Sequence, residues 1–179
     1  MHRRAFLMSA ASALALTAAP AQAQLFRRGP PDMAPAHEQA DFILVLKGAR
    51  RLILFRQGTA FREYRISMGN GANEGPKRFE GDGRTPEGLY TIDWRNPNSL
   101  AYLSLHISYP NAEDVAYAAS HGRSAGGDIM IHGINNGWGF LGGLQRTRDW
   151  TAGCIAVTNG EMREIWSLVP DGTAIELRA

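Results

Sequence analysis

Two short apolar runs, Asp41 to Lys47 (DFILVLK) and Arg51 to Gln57 (RLILFRQ), are separated by Gly48-Ala49-Arg50. Runs of this length around a turn predict a β-hairpin. Phe61 to Met68 (FREYRISM) alternates apolar and polar positions after Gln57-Gly58-Thr59 and predicts a third strand. Leu89 to Trp94 (LYTIDW), Leu103 to Tyr109 (LSLHISY) and Asp128 to His132 (DIMIH) read as further strands. Between the last two, Asn111 is placed to cap a short helix through Ala119, with Glu113 and Asp114 in its favourable first turn. Thr158-Asn159-Gly160-Glu161 has capping-box spacing, and Met162, Ile165, Trp166 and Val169 then recur at helical intervals. Pro170-Asp171-Gly172 ends that helix, and Thr173 to Leu177 (TAIEL) returns as a strand. The pattern predicts a mainly β fold of the α+β class, with one C-terminal helix docked on the sheet.

Two stretches break the pattern. Gly69 to Gly88 (GNGANEGPKRFEGDGRTPEG) is too long for a simple connection, so it is expected either to serve function or to be ordered by contacts elsewhere. Met1 to Ala23 has a charged start at Arg3 and Arg4, an apolar stretch from Ala5 to Ala19, and a small-residue end at Ala21-Gln22-Ala23. This reads as a signal peptide cut after Ala23, and Arg3-Arg4-Ala5-Phe6-Leu7 resembles a twin-arginine export signal. Residues 24–36, with Arg27-Arg28 and Pro30, Pro31 and Pro35, read as a Pro-rich linker, and 37–179 as one domain. No later run approaches the roughly 20 apolar residues of a membrane crossing. The mature protein is therefore expected in the periplasm, without a transmembrane segment.

Charge narrows the partners. The chain carries 19 Lys plus Arg against 17 Asp plus Glu, and loss of Arg3 and Arg4 with the leader leaves 17 of each. Without a net surplus or a dense basic stripe, nucleic acid is not an expected partner. No cofactor is expected either, since no GxGxxG follows a strand into a helix and no P-loop is present. A zinc peptidase built on His106, His121 and His132 is a weak alternative, because no acidic residue stands at ligand spacing.

The candidate chemistry lies around the one cysteine, Cys154, in Thr151-Ala152-Gly153-Cys154-Ile155. A single thiol in an exported chain has no intrachain disulfide partner, which leaves a nucleophile as the leading explanation over a buried small hydrophobe. Attack requires thiolate, so a nearby imidazole or helix N-terminus is needed to stabilise the anion. His132 closes a predicted strand, with Gly133 expected to let the chain turn and leave the ring facing a cleft. Gly153 is expected to free the N–H groups of 153 and 154 for a developing oxyanion.

The pattern His132-Gly133, a Gly-rich spacer, then Thr151-x-Gly153-Cys154-hydrophobic resembles the catalytic signature of bacterial L,D-transpeptidases of the YkuD type. Thr85-Pro86-Glu87-Gly88-Leu89-Tyr90 is similar to an upstream segment of that family, and Gly126 to Gly133 and Cys154 to Asn159 resemble its YafK-like subgroup. The resemblance implies a β-sandwich of mixed sheets with the C-terminal helix docked on it. It also implies acyl transfer on peptidoglycan stem peptides through a Cys154 thioester, with His132 as general base and acid and the Gly133 carbonyl orienting its ring. Thr151 is a candidate for hydrogen bonding near the site.

Two departures concern the acyl acceptor: Ala152 stands where many members carry His or Lys, and Ala156 where many carry Arg. A hydrolase on the same fold is therefore the main alternative, either an L,D-carboxypeptidase or an amidase releasing an outer-membrane lipoprotein. A wall-binding module without catalysis is a lesser one. Candidate substrate-binding residues are Arg84, Arg123 and Trp138, with Phe140 and Trp150 able to wall an acyl pocket or to pack under the spacer.

Overall fold

The structure is a computed structural model that describes residues 29–179; the expected signal peptide lies outside the described residues. β1 (Phe42–Leu46) and β2 (Arg51–Arg56) form the predicted hairpin, with Ile43 opposite Leu54 and Val45 opposite Leu52, all four fully buried. Strand alternation sends these four side chains to one face, which becomes the core side. Gln57 and Gly58, both at positive φ, make the two-residue turn into β3 (Thr59–Arg65). β8 (Ala174–Arg178) lies parallel to β1, aligning Ile175 with Ile43 and Leu177 with Val45.

β4 (Gly88–Ser99) runs beyond the predicted Trp94. Its first residues pair antiparallel with β8, and its remainder pairs with β5 (Tyr102–Ile107) across two register shifts. The polar end of β4, Arg95 to Ser99, has little strand propensity of its own; pairing with β5 holds it extended. β6 (Met130–His132) follows antiparallel to β5, and β7 (Ile155–Ala156) runs parallel to β6. The described residues thus form one mixed sheet in the order β3-β2-β1-β8-β4-β5-β6-β7. Its two ends meet, because Ser67 and Ala156 exchange both backbone hydrogen bonds (3.0 and 2.8 Å).

The closed sheet surrounds a core that includes Met68, Ile92, Leu105, Ile131, Ile155 and, from the C-terminal helix, Met162 and Ile165. Helix α1 (Ala112–Ser120) begins at an Asn111–Asp114 capping box, and α2 (Asn159–Leu168) at the predicted Thr158–Glu161 box. The described part of the Pro-rich stretch lies along α2: the Ala34 N–H donates to the Ser167 carbonyl (2.9 Å), and the Ser167 hydroxyl to that of Asp32 (2.8 Å). No helix among the described residues is long and apolar enough to cross a membrane.

Candidate active site

β6 and β7 bring the two halves of the sequence signature together. Their parallel register pairs Ile131 with Ile155 and His132 with Ala156, so Cys154 comes alongside Met130, one strand over from the His132 strand. Met130 and His132, two apart on a strand, share a face. The Met130 N–H points at Cys154 Sγ (3.4 Å), and the thiol reaches the Asp128 carbonyl (3.5 Å). Asp128 holds that carbonyl in place from a left-handed backbone conformation (φ 55°), uncommon outside glycine.

The histidine is fixed by its other nitrogen. His132 Nδ1 lies 2.6 Å from the Gly133 carbonyl, and because a carbonyl only accepts, Nδ1 carries the proton and Nε2 is the free base. Trp150 packs edge-on against the imidazole (5.8 Å between ring centres). Burial pushes the His132 pKa below its ordinary value, against the smaller opposing effect of the Gly133 hydrogen bond. Burial likewise pushes the Cys154 thiol up, opposed by the Met130 N–H and by the positive charge of Lys77. Both shifts run towards the neutral forms, thiol and imidazole. Low local dielectric penalises both charged forms.

Gly133 and Gly153 serve the site differently from the sequence expectation. Gly133 keeps an ordinary φ, and its lack of a side chain makes room instead: a Cβ there would lie 2.6 Å from Asn159 Oδ1. That Oδ1 accepts the Ile134 N–H (2.8 Å), tying the turn after His132 to the start of α2. Gly153 does require its φ of +133°, and a Cβ there would meet the Arg84 carbonyl at 2.6 Å. Its N–H donates to Thr151 Oγ1 (3.2 Å), while the Thr151 hydroxyl donates to the Cys154 carbonyl (2.7 Å). Thr151 thus folds the loop onto itself. Among the described residues the Cys154 N–H has no hydrogen-bond partner, unlike the Gly153 N–H.

The long 69–88 loop is packed under this turn. The Asn70 N–H donates to the Thr151 carbonyl (2.9 Å), and the Gly69 N–H to the fully buried Thr85 Oγ1 (3.1 Å). A Cβ on Gly69 would lie 2.1 Å from the Gly83 carbonyl and 2.9 Å from Gly153 Cα, so three backbone segments meet at van der Waals contact. Within the loop the buried Lys77 ammonium pairs with Asp82 (3.0 Å). Burial alone would raise the Asp82 pKa, but the N–H groups of Arg78, Phe79 and Arg84, with Lys77, hold it below its ordinary value. Lys77, Thr85, Asp128 and Asn159 are not among the candidate site residues read from the sequence; within 69–88 that reading names Arg84 as a substrate contact and Thr85 only as part of a family-like segment.

The remaining candidates divide. Arg84 reaches the site by its backbone, while its guanidinium pairs with Glu74 (3.2 Å). Arg123 stacks on the Phe79 ring (4.0 Å) in an aromatic cluster with Tyr117 and His121. Trp138 and Phe140 stack on each other in a spacer that folds into 3₁₀ turns at Gly139–Thr147. Trp138 and Trp150 line a cleft of about 500 Å³ that starts at Ile134. His106 pairs with Asp93 (2.6 Å) and stacks on Trp94, whereas His121 faces Ser120 and Tyr117, so the three histidines of the zinc alternative sit in separate surroundings. Among the described residues no group of His, Cys, Asp and Glu is arranged to share a metal ion.

Comparison with known proteins bears on this geometry. The chain is 33% identical over 136 residues to YafK of Escherichia coli (strain K12), covering 72% of this chain and 46% of that protein. It thus spans about half the length of the curated relatives it matches. Its fold resembles that of Bdellovibrio bacteriovorus Bd1075 (TM-score 0.54, 24% identity, 84% of this chain and 52% of the other). It also resembles the helical cell shape determining protein Pgp2 of Campylobacter jejuni (TM-score 0.54, 22% identity, 81% and 52%) and an L,D-transpeptidase of Mycobacterium smegmatis (TM-score 0.52, 17% identity, 78% and 59%). At such identities these structures speak to the fold alone. The model of the YkuD family, the L,D-transpeptidase catalytic domain, matches residues 40–177, which takes in β1 to β7, both helices, all of β8 but Arg178, and both Cys154 and His132. The chain belongs to the YkuD family of L,D-transpeptidase catalytic domains.

Proposed function

We propose that this chain is a periplasmic cysteine acyltransferase acting on peptidoglycan stem peptides. The observation that carries the reading is the anchored imidazole: Nδ1 is tied to the Gly133 carbonyl, and Cys154 immediately precedes the neighbouring strand β7, beside Met130. Cys154 Sγ attacks the carbonyl carbon between meso-diaminopimelate and D-alanine, and its proton passes to His132 Nε2 as the S–C bond forms. The oxyanion is met by the Cys154 N–H. The C–N bond then breaks, the departing amine of D-alanine takes the proton from the imidazolium, and a thioester remains. In the second half an amine of another stem peptide attacks the thioester, gives a proton to His132, and displaces the thiolate, which regains that proton.

Hydrolysis, with water in place of the second amine, is the competing outcome. It is favoured by Ala156, which is fully buried between Ser67 and His132 and offers an acceptor nothing, and by the bare methyl of Ala152. Its substrates would be a terminal D-amino acid or the bond between diaminopimelate and a lysine of an outer-membrane lipoprotein.

The test incubates the protein with tetrapeptide and pentapeptide muropeptides and follows products and covalent intermediates by mass spectrometry. Dimers identify a transpeptidase and trimmed monomers a hydrolase. Cys154→Ala abolishes both products and the adduct, and His132→Gln slows turnover by roughly 10²–10⁴-fold. Full activity in Cys154→Ala would end the nucleophile assignment.

A further inference from the structure

Between the end of the 3₁₀ turns at Thr147 and the start of β7 at Ile155, the chain that carries Trp150, Thr151 and Cys154 is neither helix nor strand. It is held by the residues that follow β3. The Met68 carbonyl accepts the N–H groups of both Trp150 and Thr151 (3.1 Å each), and the Ser67 hydroxyl donates to the Gln145 carbonyl (3.1 Å). Asp149 closes this attachment from the other direction, its Oδ1 accepting the Met68 N–H (2.9 Å). Its Oδ2 accepts Nε (3.0 Å) and one Nη (2.6 Å) of Arg50, 99 residues away in sequence.

Arg50 is itself fixed with unusual care. In the turn between β1 and β2 it holds a left-handed backbone conformation (φ 54°), uncommon outside glycine. Its N–H donates to the Lys47 carbonyl (3.1 Å), and its own carbonyl accepts the Ile66 N–H (3.1 Å). Such a conformation persists where surrounding contacts over-determine it. The guanidinium also donates to the Lys47 carbonyl and to Asn73 Oδ1 (2.5 Å), so one side chain joins the β1–β2 turn, the 69–88 loop and the entry to the Cys154 turn. An exposed ion pair contributes little. Here three N–H groups converge on the two carboxylate oxygens, and the Asp149 side chain is only 15% exposed.

The residues that Asp149 anchors face the site. Trp150 sets its ring edge-on against the His132 imidazole (5.8 Å between centres) and donates its indole N–H to Gln145 Oε1 (2.7 Å). Thr151 donates its hydroxyl to the Cys154 carbonyl (2.7 Å). The hydrogen bonds of Arg50 and Asp149 go to neither Cys154 nor His132. We propose that Asp149, braced by Arg50, is a positioning residue for His132 and Cys154, acting through Trp150 and Thr151; this rests on the acyl-transfer reading. Without the brace the turn loosens from Met68 and Trp150 from the imidazole, so Sγ and Nε2 are less often aligned with the scissile carbonyl.

The experiment measures kcat and KM for D-alanine release from a tetrapeptide muropeptide, well below each melting temperature. Wild type is compared with Asp149→Asn, Arg50→Gln, Arg50→Lys and the Arg50→Gln/Asp149→Asn double variant. Arg95→Gln is the comparator for stability alone, since Arg95 bonds Asp171 (2.9 Å) and the carbonyls of Trp166 and Val169 (3.2 and 2.8 Å), away from the site. Asp149→Asn and Arg50→Gln are expected to lower kcat by about tenfold or more with KM within about threefold, and the double variant to be no slower than the slower single one. Arg50→Lys keeps the charge but not the planar fork and is expected to recover part of the loss. Arg95→Gln is expected to lower the melting temperature and keep kcat. An unchanged kcat in Asp149→Asn, a rise in KM alone, or an equal kcat loss in Arg95→Gln overturns the proposal. A second arm needs no turnover: the imidazole C–H resonances of His132 are compared by NMR between Cys154→Ala and Cys154→Ala/Asp149→Asn. If the wild-type chain forms no acyl adduct but these resonances move, the positioning role stands and acyl transfer falls. Acyl transfer with kcat and the His132 resonances both unmoved by Asp149→Asn does the reverse.

Discussion

Under the proposed acyl transfer, a thiol pushed up and an imidazole pushed down have the proton move as the substrate is attacked rather than before. Burial depresses the His132 pKa and raises that of Cys154, so the base stays deprotonated at pH values where an exposed histidine would be charged. The acid limb of kcat/KM is accordingly expected below the ordinary histidine value of about 6.5. Alkylation of the resting thiol by iodoacetamide is expected to rise only above the ordinary thiol range near 8.5, because it reads free thiolate. An acid limb at or above pH 6.5, or a resting thiol alkylated rapidly at pH 6, would contradict the neutral pair. At this scale the sequence marked Cys154 and His132 as the candidate pair through their motif. It could not show their protonation, which depends on how far the surrounding strands exclude water.

The turn that presents Cys154 is held by the loop from Gly69 to Gly88 as much as by its own residues. Gly153→Ala puts a Cβ against the Arg84 carbonyl at a φ that side chains rarely adopt. It is expected to cost roughly 1–3 kcal/mol and, by displacing Sγ, to lower kcat by about 10²-fold, read by thermal melting and muropeptide turnover. Thr85→Val removes the acceptor of the Gly69 N–H at a fully buried position and is expected to cost roughly 1–3 kcal/mol. The melting temperature should fall by several degrees in a domain of this size, although the hydrogen bonds of Thr85 go to neither Cys154 nor His132. An unchanged melting curve for Thr85→Val would remove the loop's supporting role. The alternating strands, the Asn111 cap and the Thr158–Glu161 capping box were legible because their pattern is local. The end of β4, the two-residue β7 and the 3₁₀ turns were not, since each is held by partners distant in sequence.

Across the whole molecule, the buried imidazole and the half-buried thiol set a stability window. The folded His132 pKa is depressed, so below about pH 6.5 the unfolded chain binds a proton that the folded one refuses, and stability falls as pH drops towards the folded value. The folded Cys154 pKa is raised, so above about pH 8.5 the unfolded chain releases a proton that the folded one keeps, and stability falls as pH rises. Maximum stability from this pair is expected between those limits. Cys154→Ala is expected to shrink the alkaline limb while leaving the acid limb, measured as melting temperature against pH. An alkaline limb of the same depth in that variant would show that other groups cause it.

By itself the sequence determined most local elements and singled out Cys154 and His132 as the candidate pair, because apolar period, capping residues and a Cys/His signature are written in residue identity and spacing. Closure of the sheet through Ser67 and Ala156, the packing of Gly69 and Arg84 beneath Gly153, and the alignment of Cys154 with Met130 were decided only in three dimensions. Each depends on backbone groups, which every residue carries alike, so no side-chain pattern announces where they will meet.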